Sequence, residues 1–323
     1  MYNYRLKKFI AITCMSLCFS ACGTQDNTPG TSMPTDNPVS KERSAETAPV
    51  KGTRDNVSQC LVPQCPGSNI LGNDIVTIDI SNSSEGYICV DYSGDAARTR
   101  IILTTPLNIA YTYDIHKGIC DTFPLTGSSG TYNIGVYELI DGNDYSVLFN
   151  EDFNVTSVDE YLPYLYPNQY VCFDKNSNAV SLAQELAFSA NNDLDVIQNI
   201  YNHIISSISY DYDKAENVES TYIPNIDDVL ESGKGICFDY ASLMAAMLRS
   251  QGIPTRLEIG YAGDAYHAWI STYVHDIGWI NGIIEFNGKD WEIMDPTFAA
   301  NMSEKSLKSF IGEGDNYITQ YMY

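Results

Sequence analysis

Between residues 60 and 156 apolar side chains fall at alternate positions. Val76, Ile78 and Ile80 alternate with Thr77 and Asp79, and Tyr132, Ile134 and Val136 alternate with polar or small residues. A period of two is that of a strand with one buried face, and it predicts strands at 76–80, 87–92, 99–104, 110–115, 131–138 and 145–150. Asp141-Gly142-Asn143-Asp144 reads as the hairpin between the last two. Short strands at this spacing predict an all-β sandwich of the immunoglobulin-like sort. From about residue 180 the period becomes helical. One helix surrounds Leu182 and Leu186. A second carries the stripe Leu194, Ile197, Ile200, Tyr201, Ile204 and Ile205, with Asn192 as its cap and Asp193 and Asp195 in its first turn. A third follows Gly233-Lys234-Gly235, buries Tyr240, Leu243, Met244, Met247 and Leu248, and ends at Gly252 and Pro254. Strands then return at 257–261 and 267–274. The latter puts His267, Trp269, Ser271 and Tyr273 on one face and Ala268, Ile270, Thr272 and Val274 on the other. Asn287-Gly288 joins 283–286 to 289–294 as a tight hairpin that leaves Asp295 at its end, beside Pro296. The C-terminal half is therefore expected to be an α+β domain, a helix packed on an antiparallel sheet. Residues 157–170, with four tyrosines and two prolines, read as a docked connection between the two parts.

The N-terminus has a different pattern. Arg5, Lys7 and Lys8 precede an apolar stretch at 9–21, which is too short to span a bilayer and suits a signal-peptide core. It ends in Phe19-Ser20-Ala21-Cys22, which resembles the bacterial lipobox with Phe19 where Leu is usual. That resemblance implies cleavage after residue 21, a diacylglycerol on Cys22, and a chain anchored by lipid on the extracellular face of a bacterial membrane. Residues 22–58 carry almost no large apolar side chains and are expected to be a disordered tether, with its ends roughly 30–40 Å apart. The expected organisation is a leader at 1–21, the tether at 22–58, the β-sandwich at 59–160 and the α+β domain at 161–323.

Composition narrows the functions. The formal net charge is −23, which excludes nucleic acid as a natural partner, since phosphate binding requires basic surface. Of nine cysteines, Cys14 and Cys18 leave with the leader and Cys22 is the lipid site. Cys60, Cys65, Cys89, Cys120, Cys172 and Cys237 remain. With Cys237 set apart, five is odd, so at least one thiol is left unpaired or pairs elsewhere. There is no C-x-x-C pair, there are four histidines, and no acidic run has calcium-loop spacing. No metal and no cofactor is expected.

The chemistry gathers in three places. Cys237 stands at the start of the third helix, where the dipole and free N–H groups favour a thiolate. His267 lies on a strand, and Asp295 ends one. A helix-borne Cys, a strand-borne His and an acid follow the logic of nucleophilic catalysis. The stretch Gly233-Lys234-Gly235-Ile236-Cys237-Phe238-Asp239-Tyr240-Ala241, followed by Arg249-Ser250-Gln251-Gly252-Ile253-Pro254, resembles the cysteine motif of the transglutaminase-like superfamily. Tyr266-His267-Ala268-Trp269 resembles its histidine motif, Asp295-Pro296-Thr297 its aspartate motif, and Ile208-Ser209-Tyr210-Asp211 a stretch found in bacterial members. Residues 275–284 depart from it by lengthening the connection between the His and Asp strands. The resemblance implies a papain-like core in which Cys237 attacks an amide carbonyl, His267 protonates the leaving amine and Asp295 orients the imidazole. The Cys237 N–H would meet the oxyanion, with Tyr210 as a second candidate donor and Trp269 as a candidate substrate contact. Release of the thioester to water gives hydrolysis, and to an amine gives a crosslink. The implied partner is a protein or peptide, cell-wall peptide among the candidates. The alternative is a catalytically inert surface protein that binds ligands through its β-sandwich.

Overall fold

The computed structural model describes residues 49–262, 265–275, 277–281, 284–286, 291–293 and 317–323, so the leader, Cys22 and Asp295 lie outside it. The alternating N-terminal stretch forms eight strands: β1 (Ile70–Gly72), β2 (Val76–Asp79), β3 (Tyr87–Tyr92), β4 (Thr99–Thr104), β5 (Ala110–Ile115), β6 (Asp121–Pro124), β7 (Gly130–Asp141) and β8 (Asp144–Val155). They build two four-stranded antiparallel sheets, in the orders β1-β2-β3-β6 and β5-β4-β7-β8. The alternation has its physical reason in the core. On β4 every second residue, Thr99, Ile101 and Leu103, is buried, and on β5 so are Tyr111, Tyr113 and Ile115. The β7–β8 hairpin closes at Asp141 opposite Asp144, with Gly142 at φ 53°, a left-handed turn position that glycine adopts without strain.

The helical half comprises α1 (Asn178–Leu186), α2 (Asp193–Ser207), β9 (Ser209–Tyr210), α3 (Tyr212–Asn217), α4 (Ile226–Ser232), β10 (Lys234–Gly235) and α5 (Cys237–Ser250). Then come β11 (Thr255–Ala262), β12 (Ala265–Val274), β13 (Gly278–Asn281), β14 (Ile284–Phe286), β15 (Trp291–Ile293) and β16 (Tyr317–Met322). Asn192 caps α2 as expected, its side chain accepting from Asp195 N–H. Between Tyr240 and Ser250 every residue of α5 is buried, the mark of a helix enclosed on all sides; it packs on β11, β12, α1 and α2. The sheet beside it runs β13-β12-β11-β16. The lengthened connection after the His strand thus contains β13, an edge strand paired with β12. Trp279 of β13 lies against Tyr161, Tyr164 and Tyr273, and the Arg256 guanidinium sits 3.5 Å from its ring centroid, so the tyrosine-rich connection at 157–170 is docked on this sheet.

Residues 49–323 make one compact unit. An aromatic seam of Tyr111, Tyr113, Tyr170, Tyr321 and Tyr323 joins the β lobe to the C-terminal strand. The tether expectation needs correcting at its end. Gly52 and Arg54 N–H groups donate to Phe188 and Ala190 carbonyls just beyond α1, and Gln59 N–H donates to the Ser250 carbonyl at the end of α5. Arg54 also pairs with Asp193 at 2.6 Å and donates to Gln251 O at 2.7 Å. A segment whose few apolar side chains, Val50 and Val57, are exposed is held here because it supplies donors to carbonyls at and just beyond the ends of α1 and α5. Among the described residues no helix is long and apolar enough to cross a membrane.

Candidate active site

The chain reaches Cys237 through a short, tightly specified path. Gly233 ends α4 in the left-handed conformation. Lys234–Gly235 then pairs in parallel with Ser209–Tyr210, fixed by Ser209 N–H to Gly233 O and Asp211 N–H to Gly235 O, both 2.9 Å. Gly235 has no room for a side chain, since an added Cβ would lie 2.8 Å from the Asp239 Cβ. Ile236 is extended, and Cys237 is the first residue of α5, half-buried at the one end of this helix that is not enclosed. Tyr210 therefore lies beside the backbone that leads into Cys237.

Asp239 lies within the cysteine motif without a role that the motif itself announces. Asp239 is fully buried (0 % exposed) in the first turn of α5. Its carboxylate accepts from Ile236 N–H at 2.8 Å, from Lys214 Nζ at 2.6 Å and from the Tyr222 hydroxyl. An acid here complements the helix dipole, and the Lys214 ammonium balances its charge two residues from the Cys237 thiol. Burial and the Asp239 charge push the Tyr222 phenol well up, so it remains a hydrogen donor. Lys214 also lies over the Tyr222 ring, 4.2 Å from its centroid. The same two side chains line an open pocket of about 380 Å³ with Asn217, Val218, Glu219 and Thr221. The one sequence signal for this network is an acid at the third helical position after an N-terminal cysteine; its partners lie 25 and 17 residues upstream.

On the sheet side, β12 pairs antiparallel with β11, His267 opposite Gly260 and Trp269 opposite Glu258. β12 packs against α5. Tyr266, next to His267 on β12, is 47 % exposed; partial burial pushes its phenol up to about 12, and Cys237 is among the neighbouring groups whose charge adds to that. His267 follows Tyr266 and is buried, 7 % exposed. Trp269, expected to touch substrate, is 2 % exposed. Asp295 lies outside the described residues; β14 and β15 pair antiparallel ahead of it, Ile284 opposite Ile293.

Residues 180–282 match the model of the transglutaminase-like superfamily. The chain therefore carries a transglutaminase-like core segment, which holds Cys237, Asp239 and His267 and leaves the β lobe outside it. Among curated proteins no match is found. Three solved structures are similar at low identity. A protein of Cytophaga hutchinsonii provisionally named a cysteine protease is 15 % identical, with 79 % of this chain and 73 % of that chain covered and a TM-score of 0.37. Red sea bream transglutaminase is 14 % identical over 65 % of this chain and 48 % of that one, with a TM-score of 0.26. A protein of Parabacteroides distasonis provisionally named a protease is 14 % identical over 63 % and 62 %, with a TM-score of 0.27. The chain spans about half the length of the sea bream enzyme.

Proposed function

We propose that this chain is a thiol enzyme acting on amide bonds, with Cys237 as nucleophile, His267 as general acid and base, and Asp295 as the group that orients His267. One observation carries the reading: the transglutaminase-like segment begins its central buried helix at Cys237, with the His-bearing strand alongside. The Cys237 sulfur attacks the carbonyl carbon, and the oxyanion takes a hydrogen bond from the Cys237 N–H at the helix start. His267 gives its proton to the leaving amine, forming a thioester. Water, activated by the imidazole, then yields an acid, or an amine yields a new amide. We favour hydrolysis, because water reaches any open site. The substrate is a protein or peptide, cell-wall peptide included. Cys22 carries the lipid that holds the enzyme on the outer face of a bacterial membrane, and the β lobe, expected to be immunoglobulin-like, stands between anchor and enzyme in the sequence.

Iodoacetamide labelling at neutral pH tests the first step. Cys237 is expected to react faster than the other free thiols and faster than a free cysteine. A rate equal to theirs would instead support an inert surface protein. Side-by-side assays of amine incorporation and hydrolysis then separate the two outcomes of the thioester.

A further inference from the structure

Three cysteines of the β lobe meet at one place. Cys65, in the strap before β1, is disulfide-bonded to Cys89 on β3. Cys120 directly precedes β6, and because β6 pairs with β3, Val90 opposite Asp121, its thiol reaches the same spot. The Cys120 sulfur lies 3.7 Å from the Cys65 sulfur, and all three sulfurs fall within 4.8 Å of one another. This is sulfur–sulfur contact distance, from which a thiolate attacks a disulfide with little motion. Cys89 is 2 % exposed, whereas Cys65 and Cys120 are exposed.

From this geometry we propose that Cys65, Cys89 and Cys120 form a thiol–disulfide exchange site, in which Cys65 passes between two partners. The Cys120 thiol gives its proton to solvent, and its sulfur attacks the Cys65 sulfur. The Cys65–Cys120 bond forms as the Cys65–Cys89 bond breaks, and the Cys89 thiolate leaves and takes up a proton. Nothing is oxidised or reduced overall. Both partners hold the same strap to the same sheet. The loop closed grows from a separation of 24 to one of 55 residues, and closure entropy depends only logarithmically on that length. The freed Cys89 is sheltered and behaves as a small apolar side chain, while Cys120, like Cys65, meets solvent. Burial and the carboxylates of Asp91, Asp121 and Asp79 push the Cys120 thiol up, so exchange is restrained near neutrality and accelerates as pH rises.

The test is disulfide mapping of the full chain without reductant, after acid quench and alkylation, in native protein and in protein reduced and reoxidised. The site predicts both Cys65–Cys89 and Cys65–Cys120 cross-links, in one ratio from either starting point. The approach to that ratio should be roughly 10- to 100-fold faster near pH 9 than near pH 7, following the thiolate fraction. Cys120→Ser should leave Cys65–Cys89 alone. Cys89→Ser should give Cys65–Cys120 with the melting temperature largely kept. The proposal fails if native protein shows only Cys65–Cys89 at both pH values, or if folded Cys89→Ser leaves Cys65 and Cys120 both free. Should Cys89→Ser not fold, the native-protein map decides.

Discussion

The carboxylate under the candidate nucleophile gives the sharpest energetic prediction. Asp239→Asn keeps the side-chain size and one acceptor for the Ile236 N–H, but removes the charge held by Lys214 and Tyr222. Breaking a buried pair costs about 3–5 kcal/mol when the surviving charge is trapped. Here the survivor is Lys214, whose side chain is 27 % exposed and can turn to water, so the expected loss is about 2–3 kcal/mol, or roughly 4–6 °C in Tm for a unit of this size. The reverse change is worse. Lys214→Met strands a carboxylate at 0 % exposure, and the full range of about 3–5 kcal/mol applies. The double variant should be less destabilised than the sum of the two, with a coupling of about 1–3 kcal/mol. Urea unfolding of the four proteins followed by fluorescence measures all of this. Equal losses from the two single changes, or a coupling below about 0.5 kcal/mol, would refute the reasoning, because the pair would then not be acting as a buried, asymmetric unit.

Arg249 is fully buried and donates to three carbonyls, Thr255 O at 2.9 Å, Tyr166 O at 2.8 Å and Tyr323 O at 2.7 Å; Arg249→Met should cost about 3–5 kcal/mol in urea unfolding, and Arg249→Lys should recover little, since an ammonium lacks the planar fork. Alkaline pH should weaken the fold. Burial raises the phenols of Tyr113, Tyr164 and Tyr323, Tyr164 to about 12, so the stability they hold is present below the unfolded tyrosine value of about 10 and is lost as pH rises above it. Burial lowers the Arg249 guanidinium, but it stays charged through this range while it donates to its three carbonyls, so the phenols decide and the urea midpoint should fall between about pH 10 and 12. Cys22→Ala should release the protein from membranes in detergent-free washing; a variant that stays bound would place the anchor elsewhere.

Legibility followed the range of the signal. Strands β4 and β5 could be read to the residue because each turns one face to a core, and burial imposes the alternation locally. The α2 cap was legible because capping acts within one turn, and the start of α5 because Gly233-Lys234-Gly235 stands directly before it. What escaped was held by distant partners. β6 is four residues long and exists because β3 offers an edge. β16 pairs with β11 across some sixty residues of chain. Residues 51–59 look disordered by composition and are ordered by helix-end carbonyls that no local pattern announces. The same holds for the site: Cys237 and His267 stood out by motif, whereas the Lys214–Asp239–Tyr222 network required three elements to be brought together.

The most direct test of the central claim is single-turnover acylation with an activated ester, alongside a thermal melt, for Cys237→Ala, His267→Ala and Asp295→Ala. If the three act as a unit, Cys237→Ala forms no covalent intermediate, His267→Ala is nearly as inactive, and Asp295→Ala is milder, with Asp295→Asn milder still. All four should melt close to the parent protein, and the losses should not add when variants are combined. Full acylation by His267→Ala, or a loss in Cys237→Ala that merely follows unfolding, would contradict the account.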